Sequence, residues 1–331
     1  MDSATTSPLD PVFATLPAAM LCALDSAGIV QIEGADAAAF LQGQLSNDVR
    51  ALGPGTWQHT TLNSPKGRML ANLVLWAEAD GYRALLPAEL AAPIRKRLAM
   101  YVLRSKATVT DETAAWQAWG VAGPAAASLL HERLGLEAEG HRVGANGSAR
   151  LLQIAPACLM LLAPRQDAAR ITDALAQVST VTPEVWDRLM IRAGIPTITA
   201  ATQDQFVLQT TNLDALDGVS FDKGCYTGQE IIARTQYLGR LKERLFPWHA
   251  EDASVIPGTR LYSGVFGEQA CGTVVNAAPA PDGGADLLAV VQTAAVDAGD
   301  VRLGSPEGPL LQRLPLPYAL PQPVPHARPK L

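Results

Sequence analysis

The sequence predicts an α+β protein that ends in a separate β domain, and three observations support this class. The chain has 331 residues, which is too many for one ordinary hydrophobic core. Helix and strand patterns alternate irregularly up to about residue 240, whereas only short β-like pieces between Gly, Pro and Asp turns follow Lys242. We therefore expect a disordered arm over residues 1–17, an α+β body over 18–240, a β-barrel over 241–320 and a Pro-rich tail over 321–331.

Hydrophobic periodicity orders the elements of the body. Residues 28–34 (GIVQIEG) alternate as a strand, and Asp36 can cap a following helix that carries Phe40 and Leu41 on one face. Further strands are predicted for WQHTTLN, for RMLANLVLWAEADGYRALLP with a turn at Asp80-Gly81, for WQAWGVAG and for CLMLLA. Further helices are predicted around residues 90–98, 166–177 and 183–193. The C-terminal β pieces are RLFPWHA, GTRLYSG, ACGTVVNA and LLAVVQ.

The composition excludes several classes of protein. Apolar residues make up 48% of the chain and charged residues 18%, as in globular proteins with ample core material. No run of about 18 apolar residues predicts a transmembrane helix, and the first residues lack the basic and apolar regions of a signal peptide. We therefore expect a cytoplasmic protein without membrane partners. The net charge of −6 disfavours a dedicated nucleic-acid binder.

The metal-binding residue types show no ligand spacing. The four cysteines (Cys22, Cys158, Cys225 and Cys271) are far apart and form no C-x-x-C, which argues against a disulfide framework or a zinc module. The five histidines form no H-E-x-x-H, so we expect no protein-bound metal. Phosphate-loop, dinucleotide and serine-hydrolase motifs are also missing from the sequence.

The stretch DKGCYTGQE, residues 222–230, concentrates reactive residue types. Lys223 lies two residues from Cys225, and a nearby cation would favour the thiolate over the thiol. The alternative is a buried, inert cysteine, which is common for a lone thiol. Gly224 and Gly228 allow either a tight turn or the close approach of backbone to a ligand. Both pairs of alternatives stay open on the sequence alone.

The same stretch carries the residue types that a heterocycle with an anionic tail would need. Gln229 and Glu230 can pair with an amide-like edge, Tyr226 can stack on a ring, and Arg234 can pair with an anion. A pterin with a glutamate tail satisfies this description, and so does a nucleotide. The basic strip from Arg234 to Arg244 is either a solvated face or a polyanion site.

The segment TNLDALDGVSFDKGCYTGQEIIAR closely resembles the signature of the YgfZ-type folate-binding proteins, K-G-C-Y-x-G-Q-E. Four other segments resemble the same family in the same order, namely VQIEGADAAAFLQGQLSNDV, PKGRMLANLVLW, IRAGIPTI and LPLPYALP. The resemblance implies the fold of the glycine cleavage T-protein, a tetrahydrofolate-dependent aminomethyltransferase. We therefore expect two interlocked α+β domains and a C-terminal β-barrel around a central cavity for tetrahydrofolate.

Two departures from the T-protein pattern bear on whether this chain is expected to share that enzyme's activity. The stretch that resembles the T-protein's acidic segment is GRMLAN here, so Asn72 stands where that enzyme has an acid. Arg192 stands where the T-protein has a pterin-binding glutamate. An amide can hydrogen-bond a pterin but cannot act as a carboxylate base, so folate binding is expected and aminomethyl transfer is disfavoured.

By this resemblance, the predicted folate contacts are Asn72, Arg192, Tyr226, Gln229, Glu230 and Arg234, with Cys225 and Lys223 as the reactive pair. The implied function is that of a tetrahydrofolate-binding accessory protein for iron–sulfur clusters in client enzymes, such as those using radical S-adenosylmethionine chemistry. Such a role affects tRNA methylthiolation indirectly. The alternatives are a folate-dependent one-carbon transferase and a direct tRNA-binding protein. No permanently bound cluster is expected, because four scattered cysteines do not form a usual ligand set.

Overall fold

The computed structural model describes residues 11–237 and 241–321. Up to residue 122 its elements are α1 (Pro11–Ala14), β1 (Met20–Ala23), β2 (Ala27–Glu33), α2 (Ala37–Gln42), β3 (Trp57–Asn63), β4 (Met69–Glu78), β5 (Gly81–Pro87), α3 (Ala88–Val102), β6 (Thr108–Asp111) and β7 (Trp116–Ala122). There follow α4 (Ala126–Leu134), β8 (Val143–Asn146), β9 (Ala149–Ala155), β10 (Cys158–Pro164), α5 (Ala168–Ala174), β11 (Ser179–Thr180), α6 (Pro183–Arg192) and α7 (Gln229–Tyr237). The C-terminal elements are β12 (Glu243–Ala250), β13 (Arg260–Tyr262), β14 (Gly272–Pro279), β15 (Ala285–Gln292), α8 (Thr293–Ala298), β16 (Arg302–Leu303) and β17 (Gln312–Arg313). Single turns of 3-10 helix occupy Val49–Ala51, Arg165–Asp167, Leu208–Thr211 and Gly264–Phe266.

The described strands form three sheets. The first sheet has the order β3-β4-β5-β2-β6, and the second has the order β11-β1-β7-β10-β9-β8. The third sheet has the order β16-β13-β14-β15-β12-β17 and contains every described strand after residue 240. Neighbouring strands are antiparallel except β1 and β11. These sheets and their helices confirm the predicted α+β class.

The first and second sheets interlock through the path of the chain. The chain enters the second sheet with β1, forms the whole first sheet, and returns as β7 to pair with β1. In that pairing Met20 lies opposite Ala122, although about a hundred residues separate them. The two units therefore share one continuous core, which contains Trp57 and Trp76 from the first sheet and Trp186 from α6.

The N-terminal arm differs in part from its prediction. Residues 11–14 form α1, and Phe13 is only 5% exposed because it packs into the core shared by the first two sheets. The predicted disorder of residues 1–17 is therefore wrong at α1, because burial of the Phe13 side chain in this core stabilises the segment. Residues 1–10 and the Pro-rich tail from residue 322 lie outside the described residues.

Local sequence signals located most elements but missed some contacts. Asp36 precedes α2 as predicted, yet its carboxylate accepts a hydrogen bond from the backbone N–H of Lys106, at 2.7 Å, rather than capping its own helix. The sequence predicts no helix over α7, whose Ile232 is fully buried. Across residues 11–237 and 241–321, no helix combines the length and apolarity needed to cross a bilayer.

Gly120 in the middle of β7 lies directly against the indole of Trp186, and a Cβ atom at this position would overlap the ring. We expect Gly120→Ala to lower the free energy of unfolding by about 1–3 kcal/mol, because an overpacked core must shift backbone or side chains. Urea denaturation measures this loss. Gly53→Ala is the matched control, since a Cβ at Gly53 meets nothing within 4 Å. Equal stability of the two variants would contradict the prediction.

Candidate functional site

The glycines of the DKGCYTGQE stretch have different surroundings. Gly228 adopts φ +83°, and a Cβ there would come within 2.6 Å of the carbonyl oxygen of Ser64 and 2.9 Å of the Cα of Gly67. The loop before α7 thus packs backbone against backbone on the turn between β3 and β4. By contrast, a Cβ at Gly224 would meet nothing within 4 Å. Packing therefore explains Gly228 and leaves Gly224 without a steric reason.

Lys223 extends away from solvent into the protein. Its ammonium donates hydrogen bonds to the carbonyl oxygens of Leu45, at 2.7 Å, and Asn47, at 2.8 Å. It also lies 5.0 Å from the ring centroid of Tyr226, within cation–π range. Burial penalises the charged form and lowers the pKa of Lys223 to about 8, while the nearby carboxylate of Asp48 opposes that shift. The lysine thus holds the segment between α2 and β3 to the signature loop.

The two members of the predicted reactive pair have different surroundings. Cys225 is exposed, so the alternative of a buried, inert cysteine does not apply. The ammonium of Lys223, however, is engaged by two carbonyl oxygens and an aromatic ring. Lys223 is only 8% exposed and its donors serve the fold, and its pairing with Cys225 in a reactive site stays a prediction.

A cavity of about 510 Å³ opens elsewhere, between the three sheets. Its wall combines residues of β4 and β5, of β9, β10 and α6, and of β14. Much of this wall is apolar, with Met160, Trp186 and Met190 among its members. A volume of this size is typical of small-molecule sites. Among the described residues, none from 222 to 237 lines the cavity, so the signature stretch lies outside it.

Two titratable side chains in the cavity wall have displaced pKa values. Asp187 on α6 keeps contact with solvent, yet protein atoms enclose it enough that burial, reinforced by the charge of Glu184, raises the pKa of its carboxyl to about 6. His59 on β3 is 5% exposed, and burial lowers its pKa to about 4, so its imidazole is neutral at pH 7. Its Nδ1 has no hydrogen-bond partner among the described residues.

Asn72 is the one predicted folate contact that lines the cavity, but its amide has other partners. Its Nδ2 donates to the carbonyl of Pro196 at 2.8 Å, and its Oδ1 accepts from the N–H of Ile198 at 2.8 Å. Asn276 on β14 holds Thr197 in the same way, at 2.9 Å and 2.8 Å. The two asparagines therefore hold residues 196–198 as one wall of the cavity.

Arg192 does not line the cavity. Its guanidinium faces the third sheet, with Nη1 3.4 Å from Oδ2 of Asp286 on β15. Asp286 also receives Nε of Arg188 at 2.8 Å and contacts Nδ1 of His249 at 2.9 Å, and its side chain is only 2% exposed. Arg192, a predicted folate contact, thus joins α6 to the third sheet.

The remaining predicted contacts belong to the loop before α7 and to that helix. Tyr226 is 8% exposed within a core cluster, and burial raises the pKa of its phenol to about 12. Gln229 is half-buried at the start of α7, whereas Glu230 and Arg234 are exposed. None of these four residues lines the cavity to whose wall Asn72 belongs.

The basic strip from Arg234 to Arg244 offers fewer free charges than its sequence implies. Arg244 donates to Oδ1 of Asp214 at 2.6 Å and to the carbonyl of Gln209 at 2.8 Å, so its charge is paired within the protein. Arg240 lies outside the described residues. No three His, Cys, Asp or Glu side chains of the described chain come together as a metal site, and the predicted lack of a bound metal stays a prediction.

Sequence reasoning missed Asp187, although a signal for it was available. On α6, Asp187 precedes Met190 by three residues and Ile191 by four, and both line the cavity. Residues three and four apart share one face of a helix, so a carboxylate interrupts an otherwise apolar face. A charge at such a position indicates a functional site or a buried partner.

The sequence model of the GCVT N-terminal domain matches residues 11–156. The crystal structure of glycine cleavage system aminomethyltransferase T from Bartonella henselae superposes with a TM-score of 0.70, covering 92% of this chain and 87% of that one at 16% identity. The tRNA-modifying protein YgfZ of Yersinia pseudotuberculosis is 33% identical over 307 residues, 91% of this chain and 92% of the relative. That of Pectobacterium carotovorum is 35% identical over 251 residues, 75% of each.

Three sheets around a central cavity therefore define a protein with the fold of the glycine cleavage T-protein. Identity above 30% across nine tenths of both sequences is more specific than a shared fold. The chain belongs to the YgfZ family.

Replacing Lys223 tests its structural role. We expect Lys223→Met to lower the free energy of unfolding by about 1–3 kcal/mol, because two buried carbonyls lose a charged donor while the apolar stem remains. Urea denaturation at pH 7 measures the loss. Lys66→Met is the control, since Lys66 is exposed. If both variants unfold at the wild-type urea concentration, Lys223 does not hold the loop.

Proposed function

We propose that the cavity binds the pterin of a reduced folate and that the protein assists iron–sulfur client enzymes in a folate-dependent way. The observation that carries the proposal is a cavity of about 510 Å³ with largely apolar walls, whose lining includes the carboxylates of Asp187 and Glu89. A pterin needs these features, because its flat ring requires apolar surfaces and its amino-pyrimidinone edge presents adjacent N–H donors. A carboxylate accepts such a donor pair in a bidentate way.

The wall residues are compatible with this ligand. Asp187 offers the carboxylate, and the indole of Trp186 and the thioether of Met190 offer apolar surface on the same helix. His59 adds a neutral imidazole to the wall of the cavity. The folate contributes its one-carbon chemistry when bound, while these residues bind and orient it.

The role in iron–sulfur assembly rests on family membership and on Cys225. The relatives are named tRNA-modifying proteins, which agrees with clients whose clusters support tRNA methylthiolation. Cys225 is exposed on the loop before α7, where a client or a transferred group can reach it. The clients we propose are enzymes that use radical S-adenosylmethionine chemistry.

A folate-dependent one-carbon transferase is the second candidate, and Asp187 is the observation that favours it. A carboxyl with a pKa raised to about 6 in a cavity is suited to accept a proton near neutral pH. By resemblance, Asn72 stands where the T-protein has an acid, and Asp187 supplies a carboxylate from another position. Formation of 5,10-methylene-tetrahydrofolate from methylated amine donors by the purified protein would favour this candidate.

Anaerobic calorimetry with tetrahydrofolate tests the site. We expect Asp187→Asn to weaken binding about 10- to 100-fold, since hydrogen bonds to a charged group contribute about 1.5–3 kcal/mol. Glu184→Gln is the matched control, an exposed carboxylate on the same helix outside the cavity wall. Arg234→Ala should bind as the wild type does, because Arg234 does not line the cavity. Weaker binding by Arg234→Ala alone would move the site to α7.

The pH dependence of tetrahydrofolate binding gives a second test. Only the ionised carboxylate of Asp187 accepts two hydrogen bonds, and its pKa in the free protein is raised to about 6. We therefore expect affinity to be full above that pKa and to fall as the pH drops through it. Calorimetry between about pH 7.5 and about pH 5.5 measures the slope. Asp187→Asn should remove this component, and an identical slope in both proteins would exclude Asp187 as its source.

Replacing Cys225 tests the accessory role separately. We expect Cys225→Ala to abolish the recovery of tRNA methylthiolation in a bacterial strain that lacks its own YgfZ, because the thiol is the exposed nucleophile of the signature loop. Its melting temperature and tetrahydrofolate affinity should stay at wild-type values, since an exposed side chain outside the cavity contributes little to either. Full recovery by Cys225→Ala would remove the thiol from the function.

A further inference from the structure

The C-terminal end of α3 exposes three large apolar side chains close together in the chain. Met100 is 58% exposed, Tyr101 is 45% exposed and Leu103 is 86% exposed. The buried face of the same helix, with Leu90, Ile94 and Leu98, already packs on the first sheet. The exposed three therefore form a second apolar surface, and such a surface rimmed by polar groups is typical of interaction sites.

The backbone at Leu103 adds an independent observation. Leu103 is the residue after α3 and adopts φ +48° and ψ −103°, a conformation that is unfavourable for a side chain with a Cβ. Glycine would adopt it more readily. Burial of the Leu103 side chain contributes little stabilisation to offset this cost, because most of its surface remains in water. Its side chain is thus held outward at a conformational cost that packing within the described chain does not explain.

Charge defines the chemistry of what this surface would bind. Between residues 90 and 110 the chain carries Arg95, Lys96, Arg97, Arg104 and Lys106 and no Asp or Glu, although the whole protein has a net charge of −6. None of the five forms a salt bridge with the described residues. One acid, Asp36, lines the shallow depression beside Leu103, where it accepts the N–H of Lys106. The surface therefore has a local positive charge around an apolar centre, within which the guanidinium of Arg97 lies 5.8 Å from the ring centroid of Tyr101.

We propose that residues 95–106 are a docking surface for an acidic protein, which receives Leu103 and Met100 in an apolar depression and places carboxylates opposite the surrounding cations. Met, Tyr and Arg are enriched in the centres of protein interfaces. Carboxylates pair well with arginine, and rim charges of this kind steer association. A nucleic acid would use the cations but has little use for exposed aliphatic side chains. The inference does not depend on folate binding.

Photo-crosslinking in living bacteria tests the surface in the full chain. A photoreactive phenylalanine analogue replaces Leu103 in one variant and the exposed Ala92, earlier on α3, in the control variant. We expect a discrete crosslinked protein from position 103 and none from position 92. The crosslink should disappear when Arg95, Lys96 and Arg104 are changed to Glu, because the partner's carboxylates are then repelled.

The crosslinked protein is then purified and titrated against the wild type and the charge-reversed variant. Support requires an acidic contact surface on the partner and binding at least tenfold weaker after charge reversal. Binding to the wild type should also weaken as the salt concentration rises from about 50 to about 300 mM. Crosslinks only to RNA, to lipid or to a second copy of this chain would overturn the proposal. So would the lack of any crosslink, or binding insensitive to charge reversal.

Leu103→Gly separates docking from folding. Because glycine tolerates φ +48°, we expect the variant to melt at or above the wild-type temperature while it binds the purified partner at least tenfold more weakly. A lower melting temperature with unchanged partner binding would show that Leu103 serves the fold and would overturn the proposal. Calorimetry with tetrahydrofolate should give the wild-type affinity for this variant, so failure here is distinguishable from failure of the folate site.

Discussion

Two asparagine side chains hold one wall of the cavity between the sheets. Asn72 on the first sheet and Asn276 on the third sheet each form a pair of hydrogen bonds to the backbone of residues 196–198. Buried backbone groups need partners, and here the partners come from two sheets at once. The segment is therefore held as a wall, and apolar residues of α6 and β10 can line the space without closing it.

The signature loop combines structural and chemical demands in a few residues. Lys223 supplies hydrogen bonds to the segment between α2 and β3, Tyr226 fills a core, and Gly228 allows backbone contact with the turn after β3. These structural roles account for Lys223, Tyr226 and Gly228 without a bound ligand. Cys225 remains exposed beside Gly224, where no packing requires a glycine. Of the predicted reactive pair, the thiol of Cys225 is exposed and the ammonium of Lys223 is engaged within the protein.

The features for which we propose functions lie at three separate places on one fold. Asp187 faces the cavity, Cys225 lies on the loop before α7, and the cations around Leu103 follow α3. Helix α6 links the first of these to the third sheet, because Arg188 and Arg192 pair with the buried Asp286. Removing one partner of such a cluster leaves a buried charge, so its members are constrained together. Asp187 therefore belongs to a helix that the pairs of Arg188 and Arg192 with Asp286 hold against the third sheet.

The sequence by itself determined the α+β class, the strands β2–β5, the helices α3 and α6 and the β character of the last domain, because hydrophobic periodicity is a local property. It also pointed to the loop of Cys225 through residue types that are rare together. Only the tertiary structure decided that Lys223 faces inward, that Arg192 pairs with Asp286, and that Asp187 and His59 share a cavity. Those outcomes depend on contacts between residues far apart in the chain, such as Lys223 with Leu45, and a local pattern carries no information about which distant group a side chain will meet.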